Sequence, residues 1–206
     1  MNDGGGWARE AGREQRWIVF DYGEVICGRT NALPELANTM GAGLAEFEPH
    51  YWAHRDRYDR GAADLAYWSG IGEALGVPVD RSTSDKLTAI DIEGWSHVEP
   101  ESGELLAALD EAGARLALLS NAPASFARFA ERQDWAKHFR VRVFSGDVGV
   151  AKPDAAIFET LLARLEAQPG DCLFFDDRQS NVDGARAVGL RAHRWLGVQA
   201  AGELLS

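Results

Sequence analysis

Short unbroken apolar runs alternate along this chain with stretches in which apolar residues return every three or four positions. Trp17-Ile18-Val19-Phe20 is the first run, and it ends at Asp21. A run of this kind with no polar alternation suits a strand buried on both faces of a parallel sheet. From Leu33 to about Trp95 the spacing becomes helical, through Leu36 and Met40, Tyr51 and Trp52, Leu65, Trp68, Ile71 and Leu75, then Leu87 and Ile90. Gly41, Gly43, Gly61 and Gly76-Val77-Pro78 divide it into roughly four helices with no strand between them. That stretch is too long for a connecting loop, and it predicts a compact helical insertion over 33–96.

After His97 strands and helices alternate. Pro100 suits a first helical turn, Leu105, Leu106 and Leu109 give that helix its apolar face, and Gly113 suits its stop. The further strands fall on Arg115 to Leu119, Val141 to Phe144, Cys172 to Phe175 and Arg191 to Trp195. Helices follow over about Ala124 to Gln133, Ala155 to Ala167, and Asn181 to Val188 with Gly189 as its stop. The pattern predicts an α/β fold, an open parallel sheet with helices on both faces, formed by 17–32 and 97–206. Residues 1–16, with Asp3-Gly4-Gly5-Gly6 and mixed charges up to Arg16, lack the apolar stretch of a secretory signal and are expected to form a loose tail.

Composition narrows the partners. With 206 residues, 46% of them hydrophobic, the chain can bury a full core. A formal charge of −11 opposes nucleic acid and anionic lipid, and no basic run offsets it. No apolar run approaches the roughly 20 residues of a spanning helix. Cys27 and Cys172 stand far apart in apolar surroundings, which fits small core residues in a reducing compartment, so a cytoplasmic protein is expected.

The chemistry sits where apolar runs end. Asp21 follows the first strand, and Asp176-Asp177 follow Cys172-Leu173-Phe174-Phe175. Strand ends in an open parallel sheet share one crevice, so these carboxylates can converge although far apart in sequence. Like charges that close need a cation, and Mg²⁺ answers with few protein oxygens. Read singly, each aspartate is equally well a helix cap. Ser120-Asn121 after the second strand is either a cap or a donor set for an anion. Lys152 before Pro153 is either a surface lysine or a fixed ammonium for a phosphoryl oxygen.

Taken in order, strand–Asp21, strand–Ser120-Asn121, loop–Lys152-Pro153 and strand–Asp176-Asp177 resemble the haloacid dehalogenase-like hydrolase superfamily over about Trp17 to Leu196. The resemblance implies a Rossmann-like core with a small helical cap and Mg²⁺-dependent hydrolysis of a small phosphorylated metabolite, by a monomer or homodimer. It places the nucleophile on Asp21, phosphoryl contacts on Ser120, Asn121 and Lys152, and metal ligands on Asp21, Gly23, Asp176 and Asp177. Phosphatases of the superfamily usually carry a second aspartate two residues after the nucleophile, as general acid and base. Here Gly23 stands in that position.

Branches with an Asp-x-Gly form are closer, including ones similar to sugar-phosphate phosphatases, and a sugar 1-phosphate, with its acidic leaving group, suits a site lacking that acid. Glu24 is the nearest alternative acid in the sequence. Two other readings stay open: a metal-independent 2-haloacid dehalogenase, and a catalytically weak protein that binds a phosphorylated ligand. In the cap, His50 and His54 share one helix face, and Tyr51 and Arg55 another. His54 is the cap residue assigned to the substrate, while Trp52, Trp68 and Trp95 are expected in the cap's core. Asn181 and Asp183 either steady the metal site or cap the next helix.

Overall fold

The computed structural model describes residues 16–205. The tail expected over 1–16 therefore lies, apart from Arg16, outside the described residues. Five parallel strands form one sheet: β1 (Trp17–Phe20), β2 (Arg115–Ser120), β3 (Val141–Phe144), β4 (Cys172–Asp176) and β5 (Arg191–Arg194). Their order in space is β3-β2-β1-β4-β5. β1 is central, with Phe20 opposite Leu118 of β2 and Phe175 of β4. This register brings the residues after β1 level with the ends of both neighbours. The chain runs outward from β1 on one side and returns to continue on the other, so the crevice at the strand ends opens where the order reverses.

The strands alternate their side chains between two cores. Ile18, Phe20, Leu116, Leu118 and Phe175 pack with Leu105, Leu106 and Leu109 of α5 (Pro100–Glu111), Phe126 of α6 (Ala124–Ala130) and Leu205 of α10 (Val198–Leu205). Trp17, Val19, Leu119 and Phe174 pack on the other face with Ile157, Phe158 and Leu161 of α8 (Ala155–Leu165) and Val182 and Ala185 of α9 (Gln179–Ala187). With apolar residues needed on both faces, these strands show no binary alternation in sequence.

Between β1 and α5 lie α1 (Leu33–Thr39), α2 (Leu44–Asp59), α3 (Asp64–Leu75) and α4 (Arg81–Gly94). They share a third core of Leu36, Phe47, Tyr51, Tyr58, Trp68, Ile71 and Leu87. Asp80 caps α4 by accepting the Thr83 amide at 2.8 Å. Two short α-helices were not expected, α7 (Ser145–Val148) and α10, nor were the 3₁₀ turns Asp134–His138 and Pro169–Asp171. Cys27 and Cys172 are free and buried. No helix among the described residues is long and apolar enough to cross a membrane.

Candidate active site

Asp21, Ser120, Lys152 and Asp177 line one cavity of about 610 Å³ between the sheet's edge and the cap. Lys152 organises its floor. Its ammonium donates to Leu119 O at 2.8 Å and meets Asp21 Oδ1 and Asp176 Oδ2 at 2.7 Å each, so all three hydrogens have partners. The side chain is wholly buried. Burial alone would lower its pKa, but Asp176 and Asp21 outweigh it and raise it.

The carboxylates differ in how much of each is spent. Asp176 Oδ1 accepts the Arg178 amide and Asn181 Nδ2 at 2.9 Å, and Oδ2 accepts Lys152 and Asn181. Burial works against its ionisation, yet these donors hold it below the usual range. Asp21 Oδ1 takes Lys152 and the Tyr22 amide at 2.7 Å, which leaves Oδ2 without a donor among the described residues. Burial pushes the Asp21 carboxyl well above the usual range against the pull of Lys152, and Asp176 adds to the rise. The Asp177 side chain has no protein donor among the described residues; burial, Asp176 and Glu24 lift it to about 6. Oxygens from Asp21, Asp176 and Asp177 come within 4.8 Å of one another. Hard oxygens, surplus negative charge and open positions on Asp21 and Asp177 fit a divalent cation such as Mg²⁺.

The loops fix the remaining groups. After Asp21, the amides of Val25, Ile26 and Cys27 all point to Tyr22 O at 2.8–3.4 Å, and Glu24 takes the left-handed conformation at φ 56°. Ser120 is 2% exposed, and its Oγ has no protein partner among the described residues and opens to the cavity. Asn121 is a positioning residue: Nδ2 donates to Lys152 O at 2.9 Å and Oδ1 accepts the Lys152 amide at 2.8 Å. Its side chain therefore clamps the lysine loop, and the residue also lines the cavity. Asn181 holds Asp176 as well as standing in the first turn of α9, whereas Asp183 pairs with Gln179 outside the cavity.

The cap places its residues differently from the sequence reading. The ring of His54 packs against Gly70 of α3, and His54 does not line the cavity. Arg55, one residue on, does. Its Nε donates to Asp59 Oδ1 at 2.9 Å, and its Nη1 donates to Tyr51 Oη at 2.7 Å and Asp91 Oδ2 at 3.0 Å. Trp68 is in the cap core as expected, with Nε1 on Thr88 Oγ1 at 2.9 Å, but Trp52 and Trp95 face the cavity. Trp95 closes over Gly23: a Cβ there would lie 3.5 Å from Trp95 Cζ3. Glu24 lines the mouth, 45% exposed and 3.9 Å from Arg29. Sequence reasoning missed Asp59, which lines the cavity from the last turn of α2. The helical phase of Arg55 and Asp59, four apart, was the available signal.

A family model of haloacid dehalogenase-like hydrolases matches residues 15–189. The chain belongs to that family. Its relatives include the phosphatase MT3486 of Mycobacterium tuberculosis, 30% identical over 184 residues that cover 85% of each chain. A phosphoglycolate phosphatase of Salmonella choleraesuis is 33% identical over 55% of this hydrolase and 45% of its own length. A family enzyme of Bacteroides thetaiotaomicron shares the fold at TM-score 0.72 and 17% identity, over 93% of this chain and 98% of that one. The same enzyme has been solved with magnesium and inorganic phosphate, matching at TM-score 0.67 and 18% identity over 87% and 93% of the two chains. A dehalogenase matches at TM-score 0.71 and 19% identity over 93% and 97%.

Proposed function

We propose that this hydrolase is a Mg²⁺-dependent phosphomonoesterase for a small phosphorylated metabolite. The observation that carries the reading is the grouping of Asp21, Asp176 and Asp177 around the buried Lys152 ammonium, beside the open hydroxyl of Ser120. Asp21, Asp176, Asp177 and the Gly23 main-chain carbonyl would hold the cation, with Asp177 the freer carboxylate of the pair. When bound, Mg²⁺ supplies positive charge to the phosphoryl oxygens.

The chain's own groups do the rest. Lys152 holds Oδ1 of Asp21 and leaves Oδ2 to attack phosphorus. Ser120 Oγ and the amides of its loop donate to the equatorial oxygens. Water then hydrolyses the aspartyl phosphate and restores the carboxylate. Trp52, Trp95, Arg55 and Asp56 line the cap side. Aromatic faces with hydrogen-bonding groups between them suit a hydroxylated leaving group, which favours a sugar phosphate. The alternative as a metal-independent dehalogenase leaves Asp177 an uncompensated carboxylate beside Asp176, so it is disfavoured.

The reading is tested with a panel of phosphomonoesters, including hexose 1-phosphates and 6-phosphates, in Mg²⁺ and in chelator. Phosphate release that needs Mg²⁺ and falls by at least about 10³-fold in Asp21→Asn is expected. Equal release in chelator, or retained turnover in Asp21→Asn with native thermal stability, would contradict it.

A further inference from the structure

The missing carboxylate at position 23 raises the question of which group protonates the leaving oxygen. Asp59 sits between the two loops that hold the phosphoryl site. On one side, Ser145 Oγ donates to Asp59 O while accepting the Ala122 amide at 2.9 Å, which ties the end of α2 to the turn just after Ser120-Asn121. On the other side, Asp59 meets Arg55, Arg55 lies 5.8 Å from the Trp95 ring centre, and Trp95 closes over Gly23. The ring occupies the space beside the position where the usual acid would be attached.

The carboxyl of Asp59 is not consumed by structure. Oδ1 has Arg55 Nε, but Oδ2 has no protein partner among the described residues, and the side chain, 13% exposed, reaches the cavity. Arg55 is already paired with Asp91 from α4, so Asp59 is a second carboxylate on one guanidinium. The charged and titratable groups around it are Arg55, Asp56 and Tyr58 on its own helix, Tyr67 of α3 and Asp91 of α4. Across the cavity stand Asp21, Lys152, Asp177 and Arg178.

We propose that Asp59 of the cap is the general acid and base of this site, in place of the side chain absent at Gly23. This rests on the phosphomonoesterase reading above. As Oδ2 of Asp21 bonds to phosphorus and the bond to the leaving oxygen breaks, Asp59 gives its proton to that oxygen, releasing an alcohol. The Asp59 carboxylate then takes a proton from the water that attacks phosphorus, the bond to Asp21 breaks, and phosphate leaves. Burial, against the pull of Arg55, raises the Asp59 carboxyl to about 6, which leaves both forms available near neutrality. Glu24 and Asp56, which also line the cavity, are more exposed and paired with Arg29 and Arg60.

The test is the dependence of kcat/KM on leaving-group acidity, with dinitrophenyl, p-nitrophenyl and unsubstituted phenyl phosphate as probes in Mg²⁺. Asp59→Asn is expected to lose about 10²-fold or more on phenyl phosphate and less than about threefold on dinitrophenyl phosphate, whose leaving group needs no proton. Asp59→Glu should recover part of the loss. If Asp59→Asn is poorly folded, Asp59→Ala serves the same comparison. Equal losses on all three probes, no loss, or the selective loss appearing in Glu24→Gln instead would overturn the assignment and leave the phosphomonoesterase reading standing. A wild-type protein inert on all probes and on the metabolite panel overturns both.

Discussion

Lys152 carries two buried carboxylates on one ammonium, and four of the site's residues were legible because each ends or directly follows a strand. Asp21, Ser120, Asp176 and Asp177 share a sheet edge by register, and Lys152 reaches them from a loop pinned by Asn121. Cap residues have no such rule. His54 and Arg55 are adjacent on α2, and only the packing of α2 against α3 decides which faces the cleft. A helix facing a polar cavity on one side and water on another shows polar residues on both, so polarity alone does not separate Arg55 and Asp59 from a solvated face. Asp59 gives a stability prediction at this scale. Its folded pKa of about 6 exceeds the ordinary 3.8, so the folded state binds more protons between those values. Its contribution to stability therefore falls as pH rises through that window. Asp59→Asn should stabilise the protein by up to about 3 kcal/mol above pH ~7 and change little below pH ~4, read by urea denaturation at both. A variant less stable at neutral pH contradicts the burial argument.

At the scale of elements, the end of α2 is stapled to the core. Tyr58 Oη lies 3.1 Å from Ser125 Oγ, Arg60 pairs with Asp154 at 2.6 Å, and a Cβ on Gly61 would lie 2.9 Å from Gly146 O. Gly146 is pressed in turn against the loop after Ser120: a Cβ there would sit 2.5 Å from Ala124 N and 2.8 Å from Ala122 O. Both obstacles are backbone, so Gly146→Ala must displace the loop after Ser120 or the cap. A cost of about 1–3 kcal/mol and a raised KM are expected from thermal melts and steady-state kinetics; an unperturbed variant would mean that this junction is slack. Most helices were readable from period and stops, as with Gly113 (φ 80°) after α5. α10 was not, because eight residues interrupted by Gly202 are too few to show a helical period or to hold a helix on their own. It is held by Ala201 and Leu205 packing into the core beside α5.

For the whole molecule, one open sheet sets Asp21, Ser120, Asp176 and Asp177 at its strand ends, and one helical insertion lines the other side of the cavity. Alternating strands and helices predicted the sheet's class, but its order, β3-β2-β1-β4-β5, depends on crossovers that short-range pattern does not encode. That order makes β1 central and puts Asp21 between the ends of β2 and β4. The cap has its own core, so the cavity is a junction between two packed units, a usual place for a ligand. The central claim is that Asp21 carries the phosphoryl group in a Mg²⁺-dependent reaction. Acid quenching during turnover of the best phosphomonoester, followed by mass spectrometry of the peptide holding Asp21, reads this directly. The account predicts a phosphoryl adduct on Asp21 in Mg²⁺ that is absent in chelator and in Asp21→Asn. Sustained phosphate release with the adduct on another residue, or undiminished in Asp21→Asn, would contradict it.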